Sequence, residues 1–232
     1  MPGNGDPASG GIAVTVGETS LPSLLARLEA DDPSVTREAV ETIRDAVGDE
    51  PASCLPTVPK LRGLLECDAL EFRDTVAYCL AELAVESPED VAPSVGTIAR
   101  FAREEATTAG RGQALRCLTH VASVRESAVV PYREMVSDVL EDEPEDGVLK
   151  WGIACLSELV AAEPDDLEVP ETALEAALED DRAVVRRNAC LVVGHGQLSS
   201  VVDRLEAVAA DEPNPEVRKR ALWALDRARD GE

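Results

Sequence analysis

Residues 177–186 read Ala-Leu-Glu-Asp-Asp-Arg-Ala-Val-Val-Arg. An apolar segment with helical spacing ends at Leu178, four charged residues follow, and Val184 and Val185 open a second apolar segment. A charged turn of that length between two such segments joins antiparallel helices. The same shape appears at Leu24-Leu25-Ala26-Arg27-Leu28 before Asp31-Asp32-Pro33-Ser34-Val35, and at Asn214-Pro215-Glu216-Val217-Arg218-Lys219-Arg220-Ala221-Leu222. Elsewhere the breaks are acidic or proline-containing: Glu50-Pro51, Ser87-Pro88, Glu143-Pro144, Glu163-Pro164 and Glu212-Pro213. No segment alternates apolar and polar residues as a half-buried strand would.

The breaks are spaced regularly. One apolar pair recurs as Val40/Ile43, Ala77/Leu80, Leu115/Leu118, Ile153/Leu156, Cys190/Val193 and Leu222/Leu225, in steps of 37, 38, 38, 37 and 32 residues. A second marker keeps the same phase: Pro56, Pro93, Pro131 and Pro170 lie 37, 38 and 39 apart, each inside or opening the first helix of its repeat. A helix pair with one wide apolar stripe cannot leave that stripe wet, so successive pairs must stack. The prediction is an all-α solenoid of about six two-helix repeats over residues 21–232. Residues 1–20 hold five glycines and read as a flexible tail, with Ile12 to Val16 at most a short extended piece.

Composition supports helices and narrows the partners. Aromatic residues are only 3% of the chain, so the core must be Ala, Val and Leu, which suits closely packed helices. Asp and Glu number 46 against 22 Lys and Arg, a formal charge of -24. Such a surface repels phosphate backbones and anionic lipid, so neither nucleic acid nor membrane is an expected partner. The same charge is expected to destabilise the fold in dilute buffer and to be tolerated in strong salt, where the Debye length falls to about 3 Å at 1 M. No signal peptide and no apolar stretch of membrane-spanning length is present, which points to the cytoplasm. The six cysteines include no C-x-x-C pair, and Cys79, Cys117 and Cys155 recur at one offset beside the apolar stripe, as small core residues do.

The phrases quoted above resemble the HEAT and armadillo-like repeats, including those of phycobilin lyases, over residues 21 to 230. The excess of acid, scarcity of Lys and abundance of Ala and Val resemble halophilic, haloarchaeal proteins. The resemblance implies a right-handed α-solenoid whose second helices line a concave groove. It departs at Thr107 to Gly112, where the acidic turn is missing, and at Gly194-His195-Gly196, which reads as cutting the second helix of the fifth repeat short. The basic residues that open most second helices, such as Arg37, Arg186 and Arg218, are expected to pair with the acidic turn before each, at Asp32, Asp181 and Glu216.

Counting the second helices from Val35, Phe72, Gly110, Val148, Val185 and Val217, offsets 4, 5, 8 and 12 fall on one arc and are mostly apolar. Offsets 3, 6 and 10 fall on the opposite arc. There the sequence places Tyr78, Gln113, Arg116, His120, Trp151, Asn188 and His195, with Trp223 at offset 6 of the last repeat and acidic Glu38, Glu41 and Asp45 at the other end. Trp, Tyr and Arg are the residue types that anchor protein interfaces. This run is therefore the candidate groove for a protein or peptide partner, held by a non-enzymatic scaffold.

The alternative is a HEAT-like lyase, another enzyme or an enzyme subunit acting on a protein-bound group. It would need converging His or carboxylate residues, and the sequence offers His120 and His195 two repeats apart, without the His-Glu pairs that the resembling deoxyhypusine hydroxylases use for iron. No catalytic residue, metal ligand or cofactor is expected. A nucleic-acid glycosylase of this fold would need a basic groove, for which Arg111, Arg116, Arg186 and Arg187 are the candidates.

Overall fold

In a computed structural model, the residues described are 15–104, 107–141, 145–160 and 168–230. Fourteen helical segments follow one another among them. The first helices of the repeats are α1 (Leu21–Leu28), α3 with α4 (Pro51–Cys54, Val58–Leu65), α6 with α7 (Pro88–Val91, Val95–Glu104), α9 (Arg133–Asp138), α11 (Glu171–Leu178) and α13 (Val202–Asp211). The second helices are α2 (Pro33–Ala46), α5 (Arg73–Glu86), α8 (Thr108–Val129), α10 (Asp146–Leu159), α12 (Ala183–Gly196) and α14 (Pro215–Asp230). Each second helix packs on the next, each first helix on its own second helix, and the result is a two-layer α-solenoid of six repeats.

The periodic prolines explain the divided first helices. Pro56, Pro93 and Pro131 sit in single 3-10 turns, Leu55–Thr57, Ala92–Ser94 and Val130–Tyr132. Proline has no N–H to donate and clashes with the carbonyl four residues back, so the α-helix breaks there and resumes one turn later. Pro170 instead precedes α11 with an extended ψ of 127°. Helix α8 is interrupted at Arg125, whose φ of -138° and ψ of 63° are not helical, so residues 126–129 begin the first helix of the fourth repeat.

The core between the layers is built from the expected stripe. Val40, Ile43, Leu80, Leu115, Leu118, Ile153, Leu156, Cys190 and Val193 are all fully buried. Cysteine takes part as a packing residue: the Cys79 and Cys117 thiols point at the Val40 and Leu80 carbonyls of the preceding repeat, at 4.0 and 3.5 Å. Burial pushes the thiols of Cys79, Cys155 and Cys190 up to about 12, which keeps them protonated.

The structure differs from the sequence reading in four places. Residues 15–20, expected as the end of a tail, form a two-residue hairpin with Thr15 paired to Ser20 and Val16 to Thr19, turned by Gly17 at a φ of 57°. Val16 is fully buried, and the hairpin packs on α1, α2 and α3, so the packed region begins at Thr15. Residues 1–14 lie outside the described residues. In the last repeat Leu222 is 57% exposed and the core register is carried by Ala221 and Ala224.

Helix α12 does not stop at Gly194. It runs to Gly196 and is closed by Gln197 in the left-handed conformation, φ 51°, with the Leu198 N–H donating to the Val193 carbonyl. The arginines at the helix starts also choose other partners than expected. Arg37 donates to Glu71 and Arg186 to Glu212, both in the turn of the following repeat, whereas Asp32 accepts from the Ser34 N–H and caps α2. These are ties between repeats.

Candidate functional site

All seven residues expected in the groove stand on the second helices α5, α8, α10 and α12, on the face turned away from the first helices. Six are partly buried and Asn188, at 8% exposure, is buried. They form two clusters around tryptophan. Trp151 lies under three side chains: the Arg116 guanidinium carbon 5.7 Å from the ring centroid, Lys150 Nζ at 4.5 Å, and the His120 ring at 5.8 Å. Its backbone carbonyl accepts from Thr119 Oγ1 at 3.2 Å, which ties α10 to α8 at the same level. Trp151 is thus packed against the core and still partly exposed.

Arg116 is oriented from the other side by Glu82, with Nη1 donating to Oε1 at 2.6 Å. Glu82 also bonds the Tyr78 hydroxyl, and burial first, then that carboxylate, push the phenol above its ordinary range. Tyr78 and Gln113 line a depression of about 430 Å³ together with Arg44, Asp74 and Thr75. The Gln113 carboxamide oxygen is buried with no hydrogen-bond partner among the described residues. An acceptor in that condition costs free energy until a donor reaches it.

The second cluster is at the C-terminal end. His195 meets Trp223 edge to face, with centroids 4.9 Å apart, and the Arg220 guanidinium lies 5.9 Å from the Trp223 centroid. Asn188 accepts from Arg187 at 3.2 Å. The sequence run ended at His195, and the structure extends it to Trp223. Lys150, Glu82 and Arg220 were not counted in the run, the two cations being grouped with the basic residues that open the second helices, although their offsets of 2, 10 and 3 lie on the same arc as the run's residues.

The two histidines are not brought together: each packs on a different tryptophan. Burial lowers the pKa of both, aided by Arg116 at His120 and by Arg227 and Arg220 at His195, so both are neutral at pH 7. No group of three or more His, Cys, Asp or Glu with metal-binding geometry occurs among the described residues. No described helix is long and apolar enough to cross a membrane. What the face can offer chemically is aromatic surface together with guanidinium and ammonium donors.

Residues 170–232 match the sequence model of HEAT repeats. No curated protein matches the chain. Among solved structures, an engineered protein superimposes with a TM-score of 0.69 at 17% identity, over 90% of this chain and 96% of that one. A designed armadillo repeat protein in complex with the peptide (KR)4 gives 0.64 at 16% identity, over 90% and 99%. The archaeal HEAT-like repeats protein from Thermococcus onnurineus NA1 gives 0.58 at 13% identity, over 89% and 86%. Identities this low speak for the fold alone. The chain therefore has the α-solenoid fold of the HEAT and armadillo repeat proteins, and its segment 170–232 matches HEAT repeats in sequence as well.

Proposed function

We propose that the chain is a non-enzymatic scaffold that holds a segment of a partner protein along the exposed face of its second helices. Folds of this kind commonly serve as protein-binding scaffolds, and the designed armadillo neighbour is in complex with a peptide. The observation that carries the reading is the state of Trp151. Its partly exposed ring is held by Arg116, Lys150 and His120, an aromatic surface already oriented by its neighbours. A rigid, pre-oriented aromatic loses little entropy on binding, and such residues dominate interface energetics. The depression lined by Tyr78, Gln113, Arg44, Asp74 and Thr75 gives a peptide side chain a place to dock.

The test is selection of binders from a displayed random-peptide library against the wild-type chain, followed by affinity measurement on Trp151→Ala. Selected peptides should lose about 2 kcal/mol of binding, roughly thirtyfold in Kd. Helical circular dichroism checks that the variant stays folded at the assay temperature. Peptides that bind wild type and Trp151→Ala equally, with the variant folded, would show that the partner does not use this face.

A further inference from the structure

In a chain with two acids for every base, each cation has carboxylates to spare. Many described cations follow this: Arg27 pairs with Glu38, Arg37 with Glu71, Arg182 with Asp146 and Asp180, and Arg204 with Glu175 and Glu179. Arg44, Arg62, Arg103 and Arg125 have no such pair among the described residues but are scattered over α2, α4, α7 and α8, whereas one region gathers several unpaired cations on a single face. Among the described residues, no carboxylate lies within ion-pair distance of Lys150, Arg187, Lys219, Arg220 or Arg227. These five stand on α10, α12 and α14, at offsets 2, 3 and 10, on the arc that carries Trp151 and Trp223. The acids sharing that arc in the same repeats are Glu158, Glu216 and Asp230, and among the described residues neither Glu158 nor Glu216 is in an ion pair. At the other end of the face the balance reverses, with Glu38, Glu41, Asp45 and Asp74.

From this juxtaposition we infer that the third to sixth repeats bind an acidic, Asp- or Glu-rich segment of a partner protein, its carboxylates on the unpaired cations and its apolar side chains against Trp151 and Trp223. The inference rests on the scaffold reading and adds the chemistry of the partner. Gathering like charges on one face costs stability through mutual repulsion, a cost that local rule-breaking at binding sites typically reflects. Guanidinium groups suit carboxylates because their forked N–H donors match two oxygens. Arg220 and Lys150 already lie over the aromatic rings, so their donors are held near the anchors rather than dispersed in solvent.

Size and field argue for a peptide rather than a nucleic acid. Four second helices at roughly 10 Å spacing span about 30 Å, which an extended peptide covers with about nine residues. A longer polyphosphate would run from the cationic end onto Glu38, Glu41 and Asp45 and meet repulsion there, within reach at physiological salt because the Debye length is about 8 Å.

The experiment measures fluorescence anisotropy of a labelled peptide of alternating Glu and Leu, about nine residues long, against the Gln/Leu and Lys/Leu versions and an oligothymidylate of equal length. The Glu/Leu peptide should bind most tightly. Its Kd should rise at least about thirtyfold in Lys150→Glu/Arg187→Glu/Arg220→Glu, as expected for three exposed attractions turned to repulsions. It should change less than about threefold in Arg62→Glu/Arg103→Glu, which alters cations of the first-helix layer that also lack a carboxylate partner. Three results would overturn the inference: no measurable binding of the Glu/Leu peptide, equal binding by the triple variant, or tighter binding of the Lys/Leu peptide or the oligothymidylate. If the Lys/Leu or Gln/Leu peptide is preferred and its binding still falls in Trp151→Ala, the face remains the binding site and only the acidic character of the partner is lost.

Discussion

Gly194 and Trp223 occupy one another's space. A Cβ built on Gly194 would fall on the Trp223 ring, 2.9 Å from both Cε3 and Cη2 and nearer still to Cζ3. The glycine is helical and buried, so it serves close approach and not a turn: it lets the indole of the sixth repeat come up against the helix of the fifth. Ala is ordinarily better than Gly inside a helix by about 1 kcal/mol. Here Gly194→Ala should instead destabilise by about 1–3 kcal/mol, the usual cost of overpacking. Trp223→Leu should remove most of that cost, giving a coupling of about 1 kcal/mol or more in a double-mutant cycle read by urea unfolding. A Gly194→Ala variant more stable than wild type would show that Trp223 does not rest there.

The Arg186–Glu212 pair should dominate the acid limb of stability. Arg186 donates through Nε and Nη2 to the two Glu212 oxygens at 2.7 and 2.8 Å and through Nη1 to the Asp180 carbonyl at 2.5 Å, with both side chains largely buried. That fork holds the Glu212 carboxyl below its ordinary value, and Arg182 does the same for Asp180. Folded pKa values below the unfolded ones mean that these groups contribute fully above about pH 4.5 and lose their contribution as pH falls through the lower folded values. His120 and His195, also depressed, begin the loss earlier, as pH drops below about 6.5. Unfolding midpoints measured against pH should therefore fall in two stages, and His120→Gln/His195→Gln should abolish the upper one alone. Arg186→Met should cost about 3–5 kcal/mol at neutral pH by leaving a buried carboxylate unpaired, and Arg186→Met/Glu212→Leu should recover most of it. A single Arg186→Met variant as stable as wild type would sink this account.

The repeats were legible because their signals are local. Period and proline phase depend on residues a few positions apart, and the 3-10 turns at Pro56, Pro93 and Pro131 are what a missing N–H dictates. The candidate groove was legible as an arc, since offset fixes direction on a helix. What stayed hidden depends on the neighbouring repeat. That Arg37 reaches forward to Glu71, or that Gly194 makes room for Trp223, requires the stacking geometry between helices, which no single helix encodes. The unpaired state of Lys150, Arg187 and Arg220 was hidden for the same reason: whether an acid of a neighbouring repeat comes within reach depends on how the helices stack.

Leu222 gives the sharpest test of that geometry, because the sequence register made it the partner of Leu225 in the core. At the same offset Val40, Leu115, Ile153 and Cys190 are fully buried, since that side of a second helix packs on the next repeat. No described helix lies on that side of α14. Its flanking positions are polar: Asp226 stands where the second to fifth repeats have Ala81, Thr119, Ser157 and Gly194 and the first has Arg44, and Arg229 stands where the first to fourth have Val47, Ala84, Ala122 and Val160 and the fifth has Gln197. Polar residues at those positions suit a face left in water. Leu222→Gln should then change unfolding free energy by less than about 0.5 kcal/mol, as surface substitutions do. Ile153→Ala, at the equivalent offset two repeats earlier, should cost about 2–5 kcal/mol. Urea midpoints compared between these two variants decide it. Equal losses would mean that Leu222 is covered in solution.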